Sequence, residues 1–456
     1  MLKKQLFAMF LFVLCLAVPI TAFGASMDEV RNLVKDNYVG DIDGNLDQAT
    51  SIPNMMDMLD PYSTYFTAEE FEDFISGVEL STVGIGVVIE KVDLGIHITQ
   101  IIDGSSANKA GLKVGDIITA IDGTSTVPLT IDQASTRIKG AENTSVSLTI
   151  LREDGSTFTK DLVRNAFSLP NVEANMLYGN IGYISLHSFS NDTASLVAKS
   201  VRNLKNKGAK AFIFDLQNNG GGYVTAAEQL IGMFPNAAYA YKLQEASGIS
   251  NVRALKQATQ FPKDTKVLIN AHSASASEMT AAALFDQDAA KLYGQTTYGK
   301  GAMQGFFELE DGSFLKLTIG HFFGPNGTVI NHTGVKPHVK TTGNALSKAH
   351  FDSIASSLGN YKEMKSLKNA PLNKAFTVSF TKPILAKLDP ASVQLVALGG
   401  DSVASTAKII GEKLYVTPKE PLEAGKEYML IAHPKGKSAS GQSLKNGVYL
   451  HVTATK

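Results

Sequence analysis

Three serines and one lysine are the residues of this 456-residue sequence whose types and spacing best fit nucleophilic chemistry. Ser273, Ser275 and Ser277 alternate with alanines in "HSASASE", between an apolar run and an alanine-rich stretch. This pattern predicts a turn between a buried strand and a helix, whose N-terminus offers unpaired N–H groups to a developing oxyanion. The simpler interpretation is a helix cap, because Ser275 and Glu278 have the S-x-x-E spacing of a capping box.

Lys300, in "YGQTTYGKGAMQ", is the candidate base for such a serine. A solvated lysine with a pKa near 10.4 is uncharged in only about 0.04% of molecules at pH 7. Burial lowers the pKa of an amine, and a value of roughly 7.5 requires about 4 kcal/mol of destabilisation of the ammonium. Ser-Lys pairs are a known form of hydroxyl activation. Gly299 and Gly301 flank the lysine and allow it to approach another backbone closely.

The same stretch is close to a phosphate-binding loop, and that interpretation predicts nucleotide binding. Gly294, Gly299 and Lys300 fit G-x-x-x-x-G-K, but Gly301 stands where a Ser or Thr would bind magnesium. The residues that follow predict a β-hairpin around Asp311-Gly312, whereas a phosphate-binding loop opens a helix. The sequence therefore disfavours the nucleotide interpretation.

Other catalytic chemistries lack a signature. Neither H-E-x-x-H nor G-x-S-x-G occurs, and only His187 and His272 of the nine histidines follow the predicted strands. A Ser-His-Asp triad stays open on residue counts alone. The single cysteine, Cys15, lies in the N-terminal segment, so we expect no thiol nucleophile, disulfide or thiolate metal site in the mature chain. We expect no metal, nucleotide or other cofactor.

The N-terminus is typical of a secretory signal peptide. Two lysines precede an apolar run over residues 6–18, and Ala22 and Gly24 provide the small residues of a cleavage site. We predict removal of residues 1–24 and secretion. The alternative is an uncleaved anchor, for which the apolar run is short. With 42 basic and 43 acidic residues, the chain has no global charge suited to nucleic acid.

Apolar periodicity divides the rest of the chain. Residues 25–80 predict a mostly helical segment, which either packs on its own core or supports a homodimer. Residues 81–165 predict short strands, a helix over 130–139 and a hairpin at Asp154-Gly155. From 166 to 355, apolar strands alternate with helices, which predicts a sheet covered by helices with its chemistry at the strand ends.

The order of elements over residues 81–165 resembles a PDZ domain, a module that captures the free C-terminus of a peptide. The resemblance implies a carboxylate-binding loop made of Val83, Gly84, Ile85 and Gly86, whose N–H groups face the terminal carboxylate. The peptide would add as an extra strand between residues 85–89 and the helix. The alternative is a β-rich spacer.

The motifs together resemble the C-terminal processing (tail-specific) serine peptidases, which combine a PDZ domain with a Ser-Lys catalytic core. The resemblance covers roughly residues 28–340. It rests on motifs that occur in the family's order: "LDPYSTYFT", "GIGVVI", "AGLKVGDIITAIDG", "IGYISLHSFS", "FDLQNNGGG", "SASASE", "YGKGAMQ" and "GVKPHV".

This resemblance implies a role for each residue of the site. Ser275 would be the nucleophile, Lys300 the general base, and Gln304 the residue that holds the lysine amine. Backbone N–H groups of Ala276 and Gly221 would form the oxyanion hole. The other two serines of the motif would be structural.

The sequence departs from the family pattern in the predicted oxyanion loop. The family's D-L-R-x-N-P-G-G corresponds to residues 215–222, where Gln217 replaces the arginine and Gly220 replaces the proline. These changes make the loop less charged and less rigid. Lys139 and His338 replace an arginine and an aspartate of two further family motifs. None of these changes removes a catalytic group.

Residues 356–456 predict short strands at the spacing of a β-sandwich, and "PKEPLEAGKEY" resembles a motif of bacterial Ig-like modules. From residue 361 onward the chain has 14 lysines and 7 acidic residues, which makes an anionic cell-wall polymer a candidate partner. A solvated surface explains the same charge.

The predicted fold is therefore an α/β peptidase core, a sheet covered by helices, with an inserted PDZ domain and a C-terminal all-β Ig-like sandwich. The predicted function is a secreted serine endopeptidase. It would select protein or peptide substrates by their free C-termini and hydrolyse them through an acyl-enzyme. The alternative is a catalytically silent PDZ and Ig-like adaptor of the cell envelope.

Overall fold

The computed structural model describes residues 25–102, 104–379, 392–410, 412–434 and 446–455. The predicted signal peptide, residues 1–24, lies outside this part of the chain. Within it, no helix is long and apolar enough to cross a membrane. The chain divides into two compact units, Met1–Phe71 with Gln304–Thr318 and Glu72–Met303 with Ile319–Lys456.

The N-terminal part of the first unit combines helices with one short strand. Helix α1 is Met27–Asn37, helix α2 is Ile52–Met56 and strand β1 is Thr64–Phe66. The Ser26 and Ser51 hydroxyls cap the two helices by accepting from N–H groups of the first turn. β1 pairs antiparallel with residues 314–316. The motif "LDPYSTYFT" therefore contains a strand, within a segment that was predicted to be mostly helical.

The next part of the chain is rich in strands. Its elements are α3 (Ala68–Val78), β2 (Ser81–Gly84), β3 (Val87–Val92), β4 (Gly95–Ile101), α4 (Ser106–Lys109), β5 (Ile117–Ile121), β6 (Thr124–Ser125), α5 (Ile131–Ile138), β7 (Ser145–Leu151), β8 (Thr157–Val163) and β9 (Asn165–Ser168). Strands β3, β4, β5, β7 and β8 form a sheet in that order, with β6 on β5. β2 and β9 pair antiparallel, so the chain enters and leaves this sheet through a two-stranded ribbon.

An α/β core follows. Its elements are β10 (Val172–Leu177), β11 (Ile181–Leu186), α6 (Thr193–Asn206), β12 (Ala211–Asp215), α7 (Val224–Ile231), β13 (Tyr239–Glu245), β14 (Gly248–Arg253), β15 (Lys266–Ile269), α8 (Ala276–Asp286), β16 (Lys291–Gly294), β17 (Ala302–Glu308), β18 (Phe314–Phe323), β19 (Val339–Lys340) and α9 (Ala345–Ser357). The main sheet has the order β10-β11-β12-β15-β16-β19. β10 is antiparallel to β11, and the other neighbours are parallel.

Alternate residues of the main sheet face different helices, as the period of a strand requires. Phe212 and Phe214 of β12 belong to the hydrophobic cluster that includes α6, α7 and α8, whereas Ile213 belongs to the cluster that includes α9. Helices on both faces bury β12 from Phe212 to Asp215, which explains its continuous apolar sequence. The predicted sheet covered by helices is confirmed for this part of the chain.

The residues after Lys300 form strands. β17 and β18 pair with each other, and the end of β18 pairs with β13. A phosphate-binding loop requires a helix at this place, so its structural context is absent here. Gly294 is required by its backbone position, because its φ is +125° and a Cβ there would collide with the Ile269 carbonyl.

The described residues of the C-terminal region form strands in two sheets. The strands are β20 (Lys362–Glu363), β21 (Leu367–Ala370), β22 (Phe376–Ser379), β23 (Val393–Ala397), β24 (Ser402–Val403), β25 (Ser405–Ile410), β26 (Lys413–Pro418), β27 (Glu427–Ala432) and β28 (Val448–Ala454). One sheet has the order β20-β28-β27-β23-β24 with β21 on β28, and the other is β22-β26-β25. Residues of both sheets share one hydrophobic cluster.

The first of these sheets also packs against the α/β core. Val396, Met429 and Ile431 share a hydrophobic cluster with Ala349 and Ile354 of α9. The C-terminal region therefore continues the core through α9.

Candidate active site

Three loops meet at the carboxyl edge of the main sheet. β12 leads into residues 216–222, the oxyanion loop, and β15 leads into residues 270–275, the nucleophile turn. β16 leads into residues 295–301, the lysine loop. Because β12, β15 and β16 are adjacent and parallel, their C-terminal ends lie side by side. This edge is where α/β sheets bind ligands.

Ser275 has the backbone conformation of a strained turn residue. Its φ is +56° and its ψ is −114°, values that a non-glycine residue rarely adopts and that functional sites often contain. The residue is partly exposed. Ala276 begins α8, so its N–H has no partner inside the helix. The predicted nucleophile and one predicted oxyanion donor thus occupy a helix N-terminus.

The neighbouring serines have structural roles. The Ser273 hydroxyl donates to the Leu216 carbonyl at 2.8 Å, and the Ser277 hydroxyl donates to the Asn219 carbonyl at 2.9 Å. Both residues are fully buried. These bonds fasten the nucleophile turn and α8 to the oxyanion loop, and Ser275 is the one serine of the motif that is partly exposed.

A buried carboxylate links the nucleophile turn to the lysine loop. Glu278 Oε1 accepts from the Thr297 hydroxyl and the Gly299 N–H, both at 2.6 Å. Oε2 accepts from the Ser275 N–H at 3.0 Å and from the Lys300 N–H at 2.8 Å. The backbone nitrogens of Ser275 and Lys300 therefore lie within about 6 Å of each other, since hydrogen bonds to one oxygen hold both.

Glu278 and Thr297 were missed as site residues from the sequence. The S-x-x-E spacing suggested a helix cap, and the Ser275 N–H does donate to Glu278. Complete burial of the carboxylate is the feature that shows its wider role, because a buried carboxylate requires several donors. A pattern of residue types along the chain does not reveal that burial.

Gln304, the residue predicted to hold the lysine amine, lies in β17. Its side-chain amide donates to the Thr318 hydroxyl at 3.2 Å, within the first unit. Its predicted role toward Lys300 stays a prediction.

The oxyanion loop lies directly on Ser275, the predicted nucleophile. A Cβ built on Gly221 would lie 2.8 Å from Ser275 Cβ, 2.9 Å from the Ala274 carbonyl oxygen and 3.0 Å from the Ala276 nitrogen. The φ of Gly221 is +109°, so both space and conformation require glycine. Its N–H, the second predicted oxyanion donor, donates to Asn219 Oδ1 at 2.9 Å in this structure.

Asn219 organises the loop from inside. It is fully buried, and its Nδ2 donates to the Leu186 carbonyl at 2.9 Å. Its own carbonyl accepts from the Ala274 N–H at 3.0 Å, which joins the loop to the nucleophile turn. The sequence motif contained Asn219, but its spacing along the chain gave no role for it.

Asp215 ends β12 just before the oxyanion loop, and its buried carboxyl is a weaker acid than an ordinary aspartate. Burial raises its pKa to about 6, although the carboxylate accepts from the Tyr183 hydroxyl and the Gln217 N–H, each at 2.8 Å. Burial and the nearby Asp215 also raise the pKa of Tyr183.

The two histidines considered for a triad have other surroundings. His187 Nε2 lies 3.6 Å from a Glu173 oxygen, and His272 is an exposed residue of the nucleophile turn. Within the described residues, no group of three or more His, Cys, Asp or Glu side chains could hold a metal ion.

The predicted peptide site is a groove of about 500 Å³ beside β3, which is an edge strand. Val83 and Gly84 belong to β2 and pair with β9, while Ile85 and Gly86 form the bend between β2 and β3. All four line the groove, together with Ile131, Ser135 and Ile138 of α5, Phe167 of β9 and Leu169, which follows β9.

Comparison with known proteins agrees with this geometry. The model of peptidase family S41 matches residues 180–341, and a PDZ-domain model matches residues 97–152. The carboxy-terminal processing protease CtpA of Bacillus subtilis (strain 168) is 33% identical over 316 residues, which are 69% of this chain and 68% of that protein. A probable CtpA-like serine protease of Staphylococcus aureus (strain MSSA476) is 32% identical over 69% of this chain and 64% of its own length.

Among solved structures, the photosystem II D1 C-terminal processing protease is similar with a TM-score of 0.42 and 23% identity. The match covers 69% of this chain and 92% of that protein. The family model matches the three loops described above, and the PDZ-domain model matches the strand-rich region before them. The chain belongs to the carboxy-terminal processing serine proteases of peptidase family S41, with a PDZ domain.

Proposed function

We propose that this protein is a secreted serine endopeptidase with a Ser275-Lys300 dyad. The observation that carries the proposal is the Glu278 carboxylate, one oxygen of which accepts from the backbone N–H groups of both residues. A nucleophile and a base must lie close together, and this bond brings their main chains close.

The reaction begins when the uncharged Lys300 amine takes the proton of the Ser275 hydroxyl. The Ser275 oxygen attacks the scissile carbonyl, and the Ala276 N–H stabilises the resulting oxyanion at the N-terminus of α8. The protonated lysine then donates to the leaving amine, which gives an acyl-enzyme. Water, deprotonated by Lys300, hydrolyses the ester and restores the Ser275 hydroxyl.

Substrates are proteins or peptides with free C-termini. The groove beside β3 supports this part of the proposal, because an extended peptide can pair with an edge strand. The apolar walls of the groove, including Ile131 and Ile138, favour an apolar terminal side chain. The bend at Ile85 and Gly86 would receive the carboxylate.

We also propose that residues 356–456 form an Ig-like module that binds an anionic cell-wall polymer. Two sheets with a common hydrophobic cluster and an excess of lysine support this. Secretion through the 1–24 signal peptide would bring the module to the wall. Sedimentation of the mature protein with purified cell wall tests the binding, and a supernatant that keeps all the protein would contradict it.

Cleavage of an unfolded protein tests the peptidase. The mature chain is compared with Ser275→Ala and Lys300→Ala, with Ser356→Ala as the control, since Ser356 is an exposed serine of α9. We expect cleavage by the native chain and loss in both dyad variants. Equal cleavage by all of them would contradict the dyad, and absence of cleavage by the native chain would favour the PDZ and Ig-like adaptor.

A further inference from the structure

The outer side of the oxyanion loop has little packing. Gly220, which stands at the proline of the family motif, is exposed, and a Cβ built on it would meet no atom within 4 Å. Asn218 is also exposed and has a φ of +61°, a left-handed conformation that asparagine tolerates better than most residues. No proline ring restrains this side, and Gly220 has open space around it.

Asn270, the first residue of the nucleophile turn, makes two hydrogen bonds with this outer side. Its Oδ1 accepts from the Asn218 N–H at 3.0 Å, and its Nδ2 donates to Asn218 Oδ1 at 2.9 Å. A reciprocal pair of bonds fixes both the distance and the direction between two groups. The same Oδ1 also accepts from the His272 N–H at 3.0 Å, so the turn holds the Asn270 side chain in place.

We infer that the Asn218–Asn270 pair is a latch that positions the oxyanion loop for catalysis, and this inference rests on the proposed peptidase function. The latch does from outside what Asn219 does from inside, because both join the loop to the nucleophile turn. It matters in this chain because Gly220 gives the loop a freedom that proline would remove. Asn218 and Asn270 are positioning residues, since they act through Gly221 and Ser275 and touch no reacting atom.

Loss of the latch is expected to lower kcat with little change in KM, because a mobile loop still admits substrate but supports the transition state less often. We expect Asn218→Gly and Asn270→Ala each to lower kcat roughly tenfold, which corresponds to about 1.4 kcal/mol in the activation free energy. The double variant should be no worse than either single one.

Two further comparisons separate positioning from general stability. Gly220→Pro restrains the loop independently, so it should restore most of the rate lost in Asn270→Ala. Asn143→Gly is the matched control, since Asn143 is exposed and has a φ of +63° in a loop of the PDZ region. It should leave kcat unchanged. Additive losses, an unchanged kcat in Asn270→Ala or absence of rescue by Gly220→Pro would overturn the latch.

Hydrogen exchange keeps the test independent of activity. In Asn270→Ala, the amides of residues 216–222 should exchange faster than in the native chain, while those of α6 stay the same. Unchanged exchange in the loop would overturn the inference even if the chain showed no peptidase activity. Cleavage that persists in Ser275→Ala would contradict the proposed function. The latch would then be tested by hydrogen exchange alone.

Discussion

At the scale of single residues, the site depends on backbone positions that tolerate one residue type. Gly221 is the clearest case, because a Cβ built on it would lie 2.8 Å from Ser275 Cβ. The neighbouring Gly220 offers an internal comparison, since it is exposed, has no positive φ and has open space around it. The two glycines therefore separate the effect of contact with Ser275 from the general effect of a side chain in the loop.

We predict that Gly221→Ala abolishes most of the activity. The added Cβ must displace Ser275 Cβ or the Ala276 nitrogen, so kcat/KM should fall by roughly a hundredfold, as when an oxyanion-hole group is lost. Gly220→Ala should remain within a factor of about three of the native enzyme. Steady-state kinetics on a fluorogenic peptide measure both, and circular dichroism checks the fold. Comparable losses in the two variants would show that the contact with Ser275 is not the cause.

A second residue-scale prediction concerns Asp215, whose buried carboxyl has a pKa of about 6 against an ordinary value of 3.8. Between these values the folded protein binds a proton that the unfolded chain releases, so the free energy of unfolding falls as pH rises through the window. Above it, the ionised carboxylate costs the folded state at most about 3 kcal/mol.

Asp215→Asn should therefore stabilise the protein more at about pH 8, above the pKa of Asp215 in the folded protein, than at about pH 5, below it. The amide keeps an acceptor for the Gln217 N–H and removes the charge. Urea unfolding followed by circular dichroism measures the difference between the variant and native chain. A difference that stays constant from about pH 5 to about pH 8 would mean that Asp215 does not titrate in this range.

At the scale of elements, strand and helix periodicity predicted most of what positions the site. The alternation of β11, α6, β12 and α7 follows from apolar patterns and the Gly208 that ends a helix. The reach of Glu278 across to Thr297 and Lys300 could not be predicted, because it depends on how β15 and β16 pair. The pairing of Val83 and Gly84 with β9 could not be predicted either, because β2 and β9 are far apart in the chain.

That pairing has a consequence for the peptide groove. Thr82 of β2 lies opposite Phe167 of β9, and the Phe167 ring is 3.6 Å from a Cβ built on Gly84. Phe167 thus lines the groove although it lies outside the sheet of the PDZ domain. An element that leads back to the α/β core contributes to the peptide site.

We predict that Phe167→Ala weakens binding of a peptide with an apolar C-terminus by roughly fivefold, because part of an apolar wall is lost. Fluorescence anisotropy with the full-length chain carrying Ser275→Ala measures the Kd without cleavage. Val163→Ala serves as the control, since Val163 is 42% exposed at the end of β8. If the two variants bind the peptide equally well, β9 is not part of the peptide site.

At the scale of the whole molecule, the C-terminal region is joined to the α/β core more firmly than its sequence suggested. Strand spacing predicted a separate module, and it could not show that one sheet would share a hydrophobic cluster with α9. Hydrogen bonds accompany this contact. The Tyr178 N–H donates to the Gly400 carbonyl at 3.0 Å, and the Tyr178 hydroxyl bonds to Gln394.

His350 of α9 lies at the centre of the contact and is fully buried. Its Nδ1 accepts from the Gly399 N–H at 2.9 Å, so its Nε2 carries the proton and donates to the Tyr178 carbonyl at 2.9 Å. The ring is therefore neutral, and burial lowers its pKa below the ordinary value of 6.5, although Asp401 on the C-terminal side opposes this. Protonation would remove the acceptor that Gly399 requires.

The sign of the pH effect follows from that shift. A histidine with a lowered pKa in the folded state contributes stability that is fully present above about pH 6.5 and is lost as pH falls, because the unfolded chain takes up the proton first.

His350→Asn keeps an acceptor near Gly399 but cannot titrate, so it should lower stability at neutral pH and reduce the loss of stability between about pH 7 and about pH 5. Urea unfolding followed by circular dichroism measures both effects, since the chain has no tryptophan. His332→Asn is the control, because His332 is exposed with a φ of +57° that asparagine also adopts. An acid loss as steep in His350→Asn as in the native chain would assign the pH dependence of the contact to other groups.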